Sequence, residues 1–137
     1  MKFHRSLARC CNLFVLLILL TGCNGNLLAP RDLPAETVKG FLGAFNAGKT
    51  DEAVGHICET IVLPNLPGLL YSYQVKTLSN DGSAAQVNVT GEIRLKTPLG
   101  TINKRLDFNL NLQMTNGRWC IQRASLGTFL ESLVNLK

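Results

Sequence analysis

From Ala85 to Met114 the chain changes polarity at almost every residue, and this alternation restricts its fold more than any other feature. Ala85, Val87, Val89, Ile93 and Leu95 alternate with Gln86, Asn88, Thr90, Glu92, Arg94 and Lys96. Leu106, Phe108, Leu110, Leu112 and Met114 then alternate with Arg105, Asp107, Asn109, Asn111 and Gln113. A period of two sends successive side chains to opposite faces of a strand, so two half-buried strands flank the turn Pro98-Leu99-Gly100. Gly91 interrupts the apolar row and is expected at a bulge or bend. Tyr73, Val75 and Thr77 give an earlier strand that ends at Asn80-Asp81-Gly82. Asn116-Gly117 is the strongest short hairpin signal and leads into a last strand, Arg118 to Arg123. That strand puts Trp119 and Ile121 on one face and Cys120 on the other.

Upstream of the strands the period is 3.6. Asp32 is suited to cap a first helix, with Pro34 in its first turn and Glu36 at its positive end. Val38, Phe41, Leu42 and Phe45 form one apolar face, and Asn46-Ala47-Gly48 ends the helix, with Gly48 able to take the left-handed conformation. Thr50 reads as the cap of a second helix, with Val54, Ile57, Cys58 and Ile61 as its buried stripe and Pro64 as its stop. Leu126, Phe129, Leu130, Leu133 and Val134 mark a C-terminal amphipathic helix. The expected class is α+β: two N-terminal helices packed on a four-stranded antiparallel sheet, with a closing C-terminal helix. The helices should cover the apolar face and leave the polar face to water.

The first 22 residues stand apart. Lys2, Arg5 and Arg9 precede an unbroken apolar run, Leu13 to Leu20, and Leu20-Thr21-Gly22-Cys23 follows. The order of positive leader, apolar stretch and small residues is that of a secretory signal. With Cys23 directly after Gly22 it resembles the bacterial lipoprotein signal, in which that cysteine is diacylated and becomes the mature N-terminus. A helix over the apolar run rises only about 12 Å, against a hydrocarbon core of about 30 Å, so a spanning anchor is the poorer reading. The expected organisation is a signal peptide over 1–22, a lipidated tether over 23–33 and one domain over 34–137. The resemblance implies a location at the extracytoplasmic face of a bacterial membrane, held there by a diacylglyceryl anchor on Cys23.

The leader also holds Cys10 and Cys11, so Cys58 and Cys120 are the two thiols left in an exported domain. That remainder predicts a disulfide; two separately buried thiols are the alternative. No Cys-x-x-Cys spacing supports a redox pair. The formal charge is +5, from 14 basic and nine acidic residues, but three of the basic residues belong to the leader. The mature surface is therefore close to balance and gives no ground for a nucleic-acid partner.

The stretch Pro34-Ala-Glu-Thr-Val-Lys-Gly-Phe-Leu-Gly-Ala-Phe-Asn-Ala-Gly-Lys-Thr-Asp-Glu-Ala, with the later Asn116-Gly117-Arg118-Trp119, resembles small NTF2-like (cystatin-like) lipoproteins. The resemblance covers residues 34 to 123. It implies a cone of helices wrapped by a curved sheet, often around a pocket. Some members of that class are isomerases, dehydratases or hydrolases, and many only bind ligands or partners, so the fold does not select a function.

Catalysis on such a scaffold needs polar groups projecting inward. The inner rows here are aliphatic and aromatic, and His56 is the lone histidine of the domain. Neither a catalytic set, a metal site nor a cofactor is expected. Two features stand out as contact surfaces. Leu63 to Tyr71 is an unusually apolar connection, with Leu66, Leu69, Tyr71 and the following Tyr73 as candidates for a pocket or partner surface. Arg94, Lys96, Lys104 and Arg105 flank the Pro98–Gly100 turn with no acid among them, and form a candidate contact for an anionic surface. The expected function is a non-enzymatic, lipid-anchored envelope domain that binds a small apolar ligand or a partner protein. An isomerase- or dehydratase-type enzyme and a purely structural envelope component are the alternatives.

Overall fold

A computed structural model describes residues Leu33–Val134. The leader, Cys23, the tether and the Asp32 cap lie outside the described residues. Helix α1 (Leu33–Asn46) buries Val38, Phe41, Leu42 and Phe45, as their spacing requires. It closes at Gly48, whose φ of 73° lets the Gly48 N–H reach the Phe45 carbonyl and the Lys49 N–H reach that of Ala44.

Helix α2 (Thr50–Val54) is much shorter than the spacing of Val54, Ile57, Cys58 and Ile61 suggests. It gives way at Gly55, where bonds from His56 N–H to the Ala53 carbonyl and from Ile57 N–H to that of Val54 tighten the last turn. Residues 56–58 then run parallel to the last strand. The Ile121 N–H donates to the His56 carbonyl and the Cys58 N–H donates to the Ile121 carbonyl, both at 2.9 Å. A single turn of helix is marginal by itself, whereas the same backbone covers an otherwise bare strand edge. Tertiary pairing overrides the helical spacing.

Four strands follow: β1 (Leu70–Asn80), β2 (Ala84–Thr97), β3 (Gly100–Thr115) and β4 (Arg118–Ile121), antiparallel and in sequential order. Helix α3 (Arg123–Val134) closes the domain. The β2–β3 register is continuous from Ala84↔Gln113 to Thr97↔Gly100, which places Ala85, Val87, Val89 and Ile93 on one face with Leu106, Phe108, Leu110 and Leu112. Strand β1 starts earlier than its alternation suggests and slips register at Tyr71 and at Leu78. The bulge expected at Gly91 thus falls on the neighbouring strand. A Cβ on Gly91 would collide with the Ser72 carbonyl oxygen, so the glycine permits this close approach.

Phe129 of α3 ties the layers together. Its ring lies 5.9 Å from Phe41 and 5.4 Å from Phe45 of α1, and 5.1 Å from Phe108 of β3. Among the described residues the buried set contains no polar or charged side chain. A disulfide joins Cys58 to Cys120 across a sequence separation of 62. Cys120 shares the polar sheet face with its register partner Gln113, yet is only 3% exposed. Its bond to Cys58 accounts for that burial. Among the described residues no helix is long and apolar enough to cross a membrane.

Candidate functional site

The two contact surfaces read from the sequence meet at one place. Leu66, Leu69 and Tyr71 line one side of a groove of about 630 Å³, and Arg94, Leu95 and Lys96 of β2 line the other. The connection does not act as one unit: Leu63, Leu69 and Leu70 are buried, while Leu66 and Tyr71 stay exposed. The groove therefore has an aliphatic floor and an accessible apolar rim.

Asn46, the last residue of α1, fixes this geometry. Its side-chain Nδ2 donates to the Leu70 carbonyl at 3.1 Å, and its Oδ1 accepts from the Leu70 N–H at 2.8 Å. Its own carbonyl accepts from the Gly68 N–H at 2.8 Å. One amide thus holds the start of β1 as a neighbouring strand would, and sets where the 65–71 segment lies. Sequence reasoning assigned Asn46 only to the end of a helix. The available signal was an amide-bearing residue beside a glycine stop, too common a pattern to single out a clamp.

The register slip at Tyr71 turns its ring toward the polar face, where the Arg94 guanidinium stacks on it at 3.3 Å from the ring centroid. Arg94 Nε also donates to Asn103 Oδ1 at 3.4 Å. A guanidinium held flat in this way keeps N–H donors on its edge for a carboxylate or phosphate. Lys96 is exposed two residues further on. Tyr73 does not join the groove. It lies opposite Gly91 on the inner row, packs against the core, and brings its hydroxyl near Gly43 of α1.

The basic cluster also divides. Lys104 is the register partner of buried Ile93, so it emerges on the apolar face, where its Nζ reaches the Ser132 carbonyl of α3 at 3.5 Å. Arg105 faces the polar side opposite Glu92, beside a separate depression of about 530 Å³ lined by Ser72, Gln74, Thr90 and Asp107. The four cations do not form one flat patch. Strand parity explains the split, since Lys104 and Arg105 are neighbours and must point apart.

His56 packs over the backbone of Gly40 in α1, within 2.7 Å of where a Cβ there would stand. Burial lowers its pKa below the usual 6.5; Glu52 opposes this and Arg118 adds to it. The imidazole is consequently neutral at physiological pH. Asp107 is exposed and accepts a hydrogen bond from Asn88 at 3.0 Å. Among the described residues no group of three or more His, Cys, Asp or Glu is placed to hold a metal ion. No known protein family, characterised protein or solved structure matches this chain.

Proposed function

We propose that this chain is a lipid-anchored accessory domain of the bacterial cell envelope, non-enzymatic, and of the small NTF2-like class. It acts by binding a small apolar ligand that carries an anionic end. The observation that carries this reading is the groove, where exposed Leu66 lies across an aliphatic floor from Lys96 and from the Arg94 guanidinium stacked on Tyr71. Its volume of about 630 Å³ lies within the usual range for small-molecule sites. An apolar body would rest on Leu66, and its charged end would meet the stacked guanidinium.

Supporting a binding role rather than a catalytic one, the space between helices and sheet is filled by touching aromatic rings. The element order of two helices, four antiparallel strands and a closing helix supports the NTF2-like assignment. Native mass spectrometry of the protein drawn from envelope extract tests the reading. A small bound mass should accompany the wild type and leave in Leu66→Asp, while the Cys58–Cys120 bond still forms. An identical bound mass in both proteins, or in neither, overturns the groove as a ligand site.

A further inference from the structure

The base of the β2–β3 hairpin is held by Tyr71 on Arg94 and by Lys104 on the Ser132 carbonyl, but its far end is exposed. Strand β1 begins at Leu70, whose register partner is Ile93, so β1 stops where the arm begins. At the other end of β3, β4 pairs only with residues 112–115. Arg94 still touches the 65–71 segment, through its N–H to the Leu69 carbonyl and its stack on Tyr71, but from Leu95↔Ile102 to Thr97↔Gly100 the two strands pair only with each other and form a two-stranded tip. The arm carries apolar residues at its end: Leu99 in the turn is 100% exposed and Ile102 is 48% exposed. A solvated hairpin turn ordinarily selects small polar residues, and here it carries a fully exposed Leu beside a half-exposed Ile.

Cations stand behind that apolar tip on both faces of the arm. Arg94 and Lys96 belong to the polar face and Lys104 to the other. No acidic residue occurs between Glu92 and Asp107. For a flat patch this division is a defect. For an arm that enters a surface end-on it is the required arrangement, because charge then surrounds the tip. The ladder also gives the depths. At roughly 3.3 Å per residue, Lys96 lies about 3 Å behind the final Thr97↔Gly100 pair, Arg94 about 10 Å and Lys104 about 13 Å. The headgroup layer is about 5–8 Å thick on each side of the hydrocarbon core, and long cationic side chains reach several ångströms along the normal.

We propose that the Arg94–Lys104 arm docks end-on into a bilayer bearing anionic phospholipid, with Leu99 leading at the headgroup–acyl boundary, Lys96 and Ile102 following in the headgroup layer, and Arg94 and Lys104 at its outer side. This contact is additional to the Cys23 anchor and does not require it. It gives the domain a fixed orientation relative to the bilayer. Each cation near such a surface contributes roughly a fivefold gain in binding, screened by salt.

The test places the photocrosslinker benzoylphenylalanine at Leu99 in the full chain, and separately at Val62, which is 96% exposed but lies off the arm. Each protein is irradiated with vesicles of equal phosphatidylglycerol and phosphatidylcholine, or of phosphatidylcholine alone. With the mixed vesicles, lipid adduct at position 99 should exceed that at 62 by about tenfold. It should fall by a similar factor in phosphatidylcholine vesicles, and in the background Ile102→Asp with Lys104→Gln. Neither of those residues lines the groove, so loss here with the groove's bound mass retained separates this contact from the ligand site. Formation of the Cys58–Cys120 bond reports that each variant has folded. Equal adduct at 99 and 62, or adduct indifferent to phosphatidylglycerol, overturns the proposal.

Discussion

The two ends of the sheet are built on opposite principles. At one end, the β1–β2 and β3–β4 turns are short and internally bonded. Asp81 accepts from the Ser83 and Ala84 N–H groups at 2.8 and 2.7 Å, and Asn116-Gly117 supplies the positive φ angles of the other turn. The Cys58–Cys120 bond and the parallel pairing of 56–58 seal the β4 edge beside them. At the other end the β2–β3 arm runs past β1 with an exposed Leu99, and the groove opens at its base. The disulfide lies at the sealed end, while the rings around Phe129 fill the space between helices and sheet. Exposed apolar side chains, with Lys96 among them, gather at the tip of the arm, and Arg94 and Lys104 flank its base. This division separates residues that maintain the fold from residues available for contact.

The largest effect should come from the packed interior. Phe129→Ala removes a fully buried ring that touches three others and should cost about 3–5 kcal/mol. Leu99→Ala, at the exposed tip, should change stability by less than about 0.5 kcal/mol. Urea unfolding followed through Trp119, the single tryptophan, measures both; comparable losses in the two variants would erase the contrast. Next in size is the staple. Replacing Cys58 and Cys120 together with Ala should cost about 2–4 kcal/mol, since the bond closes a loop of 62 residues. Hydrogen exchange should quicken at 56–58 and β4 and stay unchanged across the arm. Faster exchange in the arm as well would show that the two ends are not independent.

A smaller effect belongs to the clamp at the groove. Asn46→Ala leaves the buried Leu70 N–H and carbonyl without their side-chain partners, at a cost of about 1–3 kcal/mol. Exchange should rise along 65–71 while the disulfide end keeps its protection. Asn46→Asp retains the acceptor for the Leu70 N–H but loses the donor to its carbonyl, and should fall between wild type and Ala. An Ala variant with wild-type exchange at 65–71 would remove Asn46 from this role.

Elements with a strong, long period were readable in the sequence: α1, the β2–β3 ribbon and α3 all appear where their apolar spacing puts them. The second helix was misread because Val54, Ile57, Cys58 and Ile61 have helical spacing, yet only Val54 lies in the helix and only Ile57 is buried. Ile57 and Cys58 answer to a strand more than sixty positions away, and no local window contains that information. The groove was legible as two separate features. What brought them together is a register slip at Tyr71 and an amide clamp from Asn46, both properties of long-range pairing. The division of the basic cluster was readable in principle from strand parity, since Lys104 and Arg105 are adjacent. Counting charge along the chain concealed it.

The smallest expected effect concerns His56, at the sealed end. Its imidazole lies on the backbone of Gly40, and this burial lowers its pKa below 6.5, with Glu52 opposing and Arg118 assisting. The unfolded chain therefore binds a proton at this site more readily than the folded chain does. Between the lowered value and about 6.5 the unfolded state carries the extra proton, so stability rises with pH through that window and this contribution is flat above it. Acidification from about pH 7 to about pH 5 should weaken the wild type more than His56→Gln, and the difference isolates this group from the carboxylates. Gly40→Ala sharpens the test. Its new Cβ would stand 2.7 Å from His56 Cε1 and 2.9 Å from Nε2, which drives the ring toward water. The His56 pKa, followed by proton NMR, should climb back toward 6.5 in that variant, and the acid sensitivity specific to His56 should shrink with it. A wild-type His56 that titrates at or above 6.5 would show that the ring is not held against α1, and the sealed end would lose one of its contacts.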